Sequence, residues 1–446
     1  MRLPESTPSL QDTFSHLSAS RFAAMMREAN PLPTGRYLHW DELRRRPPPE
    51  GLTHAEWWAA VTFSRASLFQ RLPLLDRLGQ AFVFATPSPV AIDLHHIDRD
   101  AAGQIRSMAD VPQREDSQRY LLGSLIEEAI TSSQLEGAST TRQVAATMLR
   151  SGRKPRDLSE RMIFNNYRVM MHLRQQRDAL LTPDHVLELH RMLTEDTLEN
   201  PQDAGCYRRD DAVRVVDSRD NTELHVPPKH EELPERMQRL CDFANADESS
   251  LPFVHPVLRA ILLHFMIGHD HPFADGNGRT ARALFYWHMA RSGYWLMEYT
   301  SISHILRRAP ALYMRAYLHT ETDKNDTTYF LLHQLRTIRQ AIDALHTYVA
   351  RKSREHQEME SLLARSPNLR ACFNHRQIAL LGHALRNSGE AYRVDAHQRT
   401  HGVVYQTARN DLLTLEAQGL LEKSRQGNAF LFHAPTDLRE RLKKLV

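Results

Sequence analysis

The feature that most narrows the fold is a succession of segments whose apolar residues recur three and four apart. Between residues 116 and 350 the pattern appears at 120–135, 144–151, 159–176, 183–198, 233–245, 256–269 and 280–292. This spacing gathers the apolar side chains on one face of a helix, and each such face must be buried against another. Capping chemistry marks the ends. Ser159 is placed to open one helix, Thr182-Pro183 to open the next as N-cap and first residue, and Gly137 to close the first. One stretch breaks the run. Residues 212–228 (AVRVVDSRDNTELHVPP) alternate through Val213 and Val215, turn at Arg219-Asp220-Asn221 and resume at Leu224 to Val226, which predicts a β-hairpin. The expectation is a mainly α chain with a hairpin set into a helical core.

Two further regions flank that core. In residues 1–115 a triple proline is followed by Thr53 and Glu56, a capping box that predicts a helix through Trp57, Val61 and Leu68. Residues 81–92 read as a short strand and loop, and the whole region as packing support. Residues 366–446 form a third region. From Arg365 onward thirteen Lys/Arg stand against seven Asp/Glu, although the whole chain has a net charge of only +3. Helices are predicted at 376–385 and 405–418, the second with Leu412, Leu413 and Leu415 inward and Gly419 just past its end. Segments 420–423 and 430–432 then flank a turn at Gln426-Gly427-Asn428. Helix, helix and hairpin in this order predict a winged helix-turn-helix domain. Gln406, Arg409 and Asn410 would face outward from its recognition helix. DNA binding and a protein-interaction or dimerisation role both stay open. Prolines 47–49 and Pro367 mark the linkers.

A net charge of +3 is too small to argue for nucleic acid or membrane across the whole surface. Cys206, Cys241 and Cys372 form no CxxC pair and read as free thiols of a reducing compartment. The N-terminus has no apolar signal-peptide core. The most apolar run, 257–267, is short and interrupted by Arg259 and His264. The expectation is a cytoplasmic, soluble protein without membrane association.

Chemistry concentrates at residues 271–282, HPFADGNGRTAR. A glycine-bearing turn that feeds a helix N-terminus is an anion site, because free N–H groups and the positive end of the helix dipole point at it. Arg279 and Arg282, three apart, can share a face of the first turn and reach one anion. His271 has the pKa range to take a proton from a hydroxyl. Asp275 suits Mg²⁺, which needs one carboxylate beside substrate phosphates. Phe273 reads as a buried anchor for the loop. His269 and His271 also form an HxH pair, but no third zinc ligand lies at useful spacing.

The same residues resemble the Fic signature HPFx[D/E]GNGRxxR at every defined position. Gly205-Cys206-Tyr207-Arg208 and the hairpin after it are similar to the family's substrate flap, and the C-terminal region resembles that of longer bacterial Fic proteins. The resemblance implies an all-helical Fic core with a hairpin flap and a protein adenylyltransferase. Such an enzyme moves AMP from ATP, with Mg²⁺, to a Ser, Thr or Tyr hydroxyl of a target protein. It implies His271 as general base, Asp275 as metal ligand, and Gly276, Asn277, Gly278, Arg279, Thr280, Ala281 and Arg282 as the ATP cradle, with Tyr313 near the adenine. Glycine at position 278 favours AMP over phosphate transfer. Val213, Val215 and Val226 would line the flap where a target strand docks by main-chain pairing.

Ser132-Ser133-Gln134-Leu135-Glu136-Gly137 resembles the family's inhibitory motif [S/T]xxxE[G/N], on a helix at about 120–137. Ser132 and Glu136 share a face, and Glu136 would compete with the γ-phosphate for Arg282. Removal of AMP from the target through the same glutamate stays open. So do self-modification, a homodimer, and the alternative of a DNA-binding transcriptional regulator that uses the Fic fold as a nucleotide sensor. An intact His271 favours the enzyme, since a sensor needs no base there.

Overall fold

The structure is a computed structural model that describes residues 3–444 except 16, 103–112, 218, 248, 366–371, 387–389, 427 and 428. The chain divides into two compact units, Met1–Leu345 and His346–Val446. Pro367 and the turn residues Gly427 and Asn428 lie outside the described residues. Helices dominate both units, so the fold is mainly α.

At the centre of the first unit lie two helices, Pro256–Asp270 and Asn277–Arg291, joined by a six-residue loop. They are buried on nearly every side, which is why their sequences are apolar almost all round rather than on one stripe. Although His264 Nδ1, Arg279 Nε and His288 Nδ1 are buried without a hydrogen-bond partner, other polar groups they carry are satisfied internally. Arg259, for example, donates to the carbonyls of Phe243 and Ala246. Around this pair pack Gln113–Leu135, Leu158–Gln175, Pro183–Thr194 and Leu233–Asn245, with Ile302–Arg308, Pro310–Thr322 and the start of Thr328–Arg365 beyond.

Several ends differ from expectation for local reasons. The Leu158–Gln175 helix is capped by Asp157, whose carboxylate accepts from the Glu160 N–H at 2.8 Å; Ser159 lies inside the helix, and its Oγ accepts from the Ser139 N–H. Thr182 and Pro183 open the next helix as expected. That helix stops at Thr194 rather than 198, where Asp196 takes a left-handed φ of 55°. The 277–291 helix begins three residues earlier than its apolar spacing implies, since Gly276 at φ 87° is its N-cap. Gly137, at φ 95°, closes the first helix at Leu135.

In the N-terminal region the Thr53/Glu56 capping box is present and opens His54–Ala66. Strand Ala81–Phe84 pairs antiparallel with Gln70–Leu75. Residues 88–97 are a helix, whose first part to residue 92 was expected as loop, with Pro89 in its first turn and Val90, Leu94 and Ile97 inward. A buried Arg65 ties the region to the core. It donates to Tyr329 Oη at 2.8 Å and Leu38 O at 3.0 Å, and lies 3.6 Å over the Tyr37 ring.

The hairpin is shorter than its alternating sequence suggests. Val215–Val216 pairs with Glu223–His225 through an irregular register, and Val213 and Val226 fall outside the ladder. Asp217 accepts from Arg219, and Asn221 takes a positive φ of 55° to make the turn.

The second unit has more elements than the helix, helix and hairpin expected. His375–Arg386 is followed by a short strand, Ala391–Tyr392, then helices Val394–His401 and Tyr405–Ala417, strands Glu422–Gln426 and Ala429–His433, and a final helix Leu438–Lys444. The last long strand is central in the three-stranded antiparallel sheet. Leu381, Leu412, Leu415 and Phe432 form its core. Asp411 fastens the helices by accepting from Asn374, Arg376 and His397. Gln406 and Asn410 are exposed and bonded to each other at 3.0 Å, while Arg409 is half-buried. The three cysteines are free thiols. Among the described residues no helix is long and apolar enough to cross a membrane.

Candidate active site

The site starts where the 256–270 helix ends. Asp270 accepts from Arg236 at 2.8 Å and from His269 Nδ1 at 3.1 Å, which fixes the last turn. His271 then turns the chain in a left-handed conformation, φ 45° and ψ 57°, rare for a residue with a side chain. Its N–H still caps the helix on Ile267 O. Its ring Nδ1 donates to Gly268 O at 3.2 Å, so the lone pair resides on Nε2. Burial holds its pKa below the usual value, against the opposing pull of the Gly268 carbonyl and Glu136. The ring is therefore neutral at neutral pH and able to accept a proton. Gly268 is required for space, because a Cβ there would stand 2.9 Å from Tyr317 Cζ.

The loop is clamped on both sides. Phe273 is fully buried and stacks on His190 at 3.7 Å and 4°. Asn277 spends its side chain on the Phe273 backbone, accepting from its N–H at 2.9 Å and donating to its carbonyl at 2.8 Å. His190 Nε2 donates to Asp275 O at 2.8 Å and its Nδ1 accepts from Gly205 N–H at 3.0 Å. Burial pushes its pKa down to about 4, in keeping with that neutral tautomer. Gly276 lies against this wall, where a Cβ would be 2.8 Å from Thr194 Cγ2. Thr280 and Ala281 are buried, with Thr280 Oγ1 turned back to Gly276 O.

The two arginines part company. Arg279 is fully buried and donates to Leu193 O at 3.2 Å and Asp275 Oδ2 at 3.1 Å. Arg282 points the other way. Its Nε meets Ser132 Oγ at 2.8 Å, and its Nη2 meets Ser132 O at 3.0 Å and Glu136 Oε1 at 2.7 Å. The two side chains thus share no partner, although they lie on one turn. Burial opposes the charge on Arg282, but Glu136, with Tyr313 and Glu128, outweighs it and raises the pKa.

Glu136 also lies on the helix N-terminus. A Cβ on Gly278 would overlap its Oε1 outright and stand 2.9 Å from its carboxyl carbon. An internal carboxylate therefore occupies the place that the turn and the helix dipole prepare for an anion. Asp275, 57% exposed in its side chain, keeps an oxygen-rich outer edge beside that place, which fits a hard cation. Tyr313 is half-buried, with its Oη 2.7 Å from His264 Nε2 and 3.4 Å from Tyr317 Oη.

The flap is strapped to the loop by residues that carry no local sequence signal. Arg208 donates to His271 O at 3.0 Å, to Asp211 at 3.0 Å and to Pro228 O, so one guanidinium joins both feet of the flap to the His271 backbone. His225, on the second flap strand, meets His269 O at 2.6 Å and Glu321 Oε2 at 2.9 Å. Glu128 holds the helix bearing Ser132 by accepting from Ser301 and Ser303. His190, Arg208, His225 and Glu128 were all missed from sequence. Arg208, inside the quoted Gly205–Arg208 segment, and His225, inside the quoted hairpin, offered the only hints.

Residues 180–289 match the Fic/DOC family. The chain is 38% identical over 114 residues to a protein named Protein adenylyltransferase Fic from Drosophila willistoni, covering 26% of this chain and 20% of that one. A protein of the same name from Nematostella vectensis is 34% identical over 119 residues, covering 27% and 25%. The chain thus spans about a fifth to a quarter of the length of these curated relatives. Among solved structures, a Fic family protein from Desulfovibrio desulfuricans superposes with a TM-score of 0.49 at 18% identity, over 78% of this chain and 97% of that one. Fic-1 from C. elegans gives 0.43 at 18%, over 76% and 92%.

Proposed function

Residues 180–289 form a Fic/DOC domain, and from that premise we propose that the chain is a protein adenylyltransferase held in check by Glu136. The observation that carries the reading is a neutral His271 beside a helix N-terminus whose arginine is already paired with an internal carboxylate. A target hydroxyl attacks the α-phosphorus of ATP; the new P–O bond forms as the bond to the β-phosphate breaks and pyrophosphate leaves. His271 Nε2 takes the hydroxyl proton, an act of general-base catalysis contributing about 10²–10⁴-fold. The N–H groups of Gly276, Asn277 and Gly278 and the charge of Arg282 neutralise the phosphates. Arg279 supports the cradle from within, through Asp275 and the Leu193 carbonyl. Asp275 would hold Mg²⁺, which supplies charge neutralisation on the phosphates when bound. Tyr313, on the ring cluster behind Arg282, suits the adenine end.

Glu136 inhibits by occupying Arg282 and the first helical turn together. The target segment pairs with the edge strand at Val215, flanked by Val213 and Val226. In the second unit, the helix pair before the hairpin and the exposed Gln406 and Asn410 support the winged helix-turn-helix reading. The test of the enzyme is incubation with α-labelled ATP and Mg²⁺. Glu136→Gly should raise label on protein, and Glu136→Gly/His271→Ala should abolish it. Label that fails to rise in the first variant, or persists in the second, sinks the proposal.

A further inference from the structure

We propose that His225, His269 and Glu321 form a zinc-type divalent metal site, separate from the nucleotide cradle, that joins the flap to the helix leading into the catalytic loop. The three come from three elements: flap strand Glu223–His225, helix Pro256–Asp270 and helix Pro310–Thr322. One ligand atom from each lies within 4.8 Å of the others. His225 Nδ1 and Glu321 Oε2 are 2.9 Å apart. Ligands on a tetrahedral zinc with bonds of about 2.0–2.1 Å sit about 3.3 Å apart, so a small separation of this pair admits the ion.

What lifts the cluster above a chance meeting is the arrangement behind it. A metal-bound histidine almost always donates its other ring N–H to a carbonyl or carboxylate. His225 Nε2 faces the His269 carbonyl at 2.6 Å, which leaves Nδ1 for a ligand. His269 Nδ1 faces Asp270 Oδ1 at 3.1 Å, which leaves Nε2, and Asp270 is itself held by Arg236 at 2.8 Å. Both rings are therefore oriented from outside, each by a different group. Phe82 stands edge-on to His269 at 5.0 Å and gives the site an apolar wall. Glu321 retains 23% exposure, which opens one side to water. Two imidazoles and one carboxylate suit zinc; magnesium prefers oxygens and keeps its waters. The histidine pair in the sequence, His269 and His271, does not supply this site. His269 finds its partners 44 and 52 positions away in the chain.

A plain hydrogen-bonded pair between His225 and Glu321 would use the same two groups. It would need neither His269 nor Asp270, and that difference is the test. The full-length chain, stripped of metal, is titrated with Co²⁺, whose visible absorption reports low-coordinate binding, and Zn²⁺ is then used to displace it. One equivalent should bind and be displaced. His225→Asn, His269→Asn and Glu321→Gln should each weaken binding at least 100-fold, and Asp270→Asn about 10–100-fold. Excess Mg²⁺ should leave the spectrum unchanged. Glu321→Gln preserves size and hydrogen bonding, so its loss of binding cannot be assigned to misfolding. No stoichiometric binding by the wild type, binding undiminished in His269→Asn or Glu321→Gln, or displacement by Mg²⁺ would each overturn the site. The readout is metal binding alone, so it stands or fails independently of adenylyl transfer.

Discussion

Replacing Gly278 by alanine asks whether the Glu136 carboxylate rests on the first helical turn. Glycine is not needed there for conformation, because residue 278 has ordinary helical backbone; it is needed for space. A methyl group would overlap Glu136 Oε1, while the next atoms, the Glu136 carboxyl carbon and Arg282 Nη1, stand at 2.9 and 3.0 Å. Both belong to the ends of flexible side chains, so the carboxylate swings away and the helix stays. The loss is the charged hydrogen bond from Arg282 to Glu136, made at 2.7 Å and worth about 1.5–3 kcal/mol. Arg282 keeps its two bonds to Ser132. Against this, alanine gains up to about 1 kcal/mol over glycine in a helix. Gly278→Ala should therefore destabilise the protein by about 0.5–2 kcal/mol. In a Glu136→Ala background the carboxylate is already gone, and the same change should stabilise by up to about 1 kcal/mol. Urea unfolding of the four full-length proteins gives the coupling directly. A coupling below about 0.5 kcal/mol, or the same sign in both backgrounds, refutes the placement.

Three further outcomes follow from other contacts. Arg208→Gln releases the His271 carbonyl and both feet of the flap, so turnover of the Glu136→Gly enzyme should fall by about 10²-fold while ATP affinity holds; an equal loss of ATP affinity would make Arg208 a general structural residue. Val215→Pro breaks the flap ladder at its pairing with His225, and should abolish modification of the target while ATP still binds; retention of both by radiolabel and calorimetry would remove the docking role. Burial holds His39 near 2, His264 and His288 near 3, and His190, His319 and His333 near 4, all below the unfolded value of about 6.5. Their stabilisation is complete above that value and is lost as pH falls toward the folded values, at up to about 1.4 kcal/mol per pH unit for each proton. Asp326, pushed up to about 6 by burial, and Asp323 and His225, also raised, act in the opposite direction but are fewer. The urea midpoint should drop steeply between pH 6.5 and 4.5, and a flat profile would contradict the burial of these rings.

What could be read in advance was local. The 271–282 loop is legible in the sequence because the glycine turn, His271, Asp275 and the two arginines fall within twelve consecutive residues. Its orientation was hidden by distance. Arg279 faces inward because the carbonyl of Leu193, from another helix, captures it. The 277–291 helix starts early because Gly276 is left-handed, and apolar spacing carries no record of φ. Strand Gln70–Leu75 contains Pro73, which argues against a strand, yet the two-stranded ladder tolerates it where its register slips between Arg71 and Leu75. Buried polar residues such as His190 and Glu128 have no periodic signature at all, since partners distant in the chain decide each one.

The proposed autoinhibition requires Glu136 to leave Arg282, and the same contacts favour one route. Glu128 lies two helical turns before Glu136, about 12 Å along the axis, and its buried carboxylate is bonded to Ser301 Oγ, Ser303 Oγ and Ser303 N–H. Sliding the 113–135 helix would break all three bonds and leave a charge buried, at several kcal/mol. Glu136 itself lies just past the last helical residue. It is held by the turn bonds Glu136 N–H to Ser133 O, Gly137 N–H to Gln134 O and Ala138 N–H to Ser133 O, neutral bonds worth about 1 kcal/mol each. Unwinding this last turn is therefore the cheaper release, and the helix body stays in place. Hydrogen exchange on the full-length chain distinguishes the two. With ATP and Mg²⁺ the amides of 136–138 should exchange faster while those of 125–131 do not change. Acceleration across 125–131 as well would mean that the whole helix moves and that Glu128 is not its anchor.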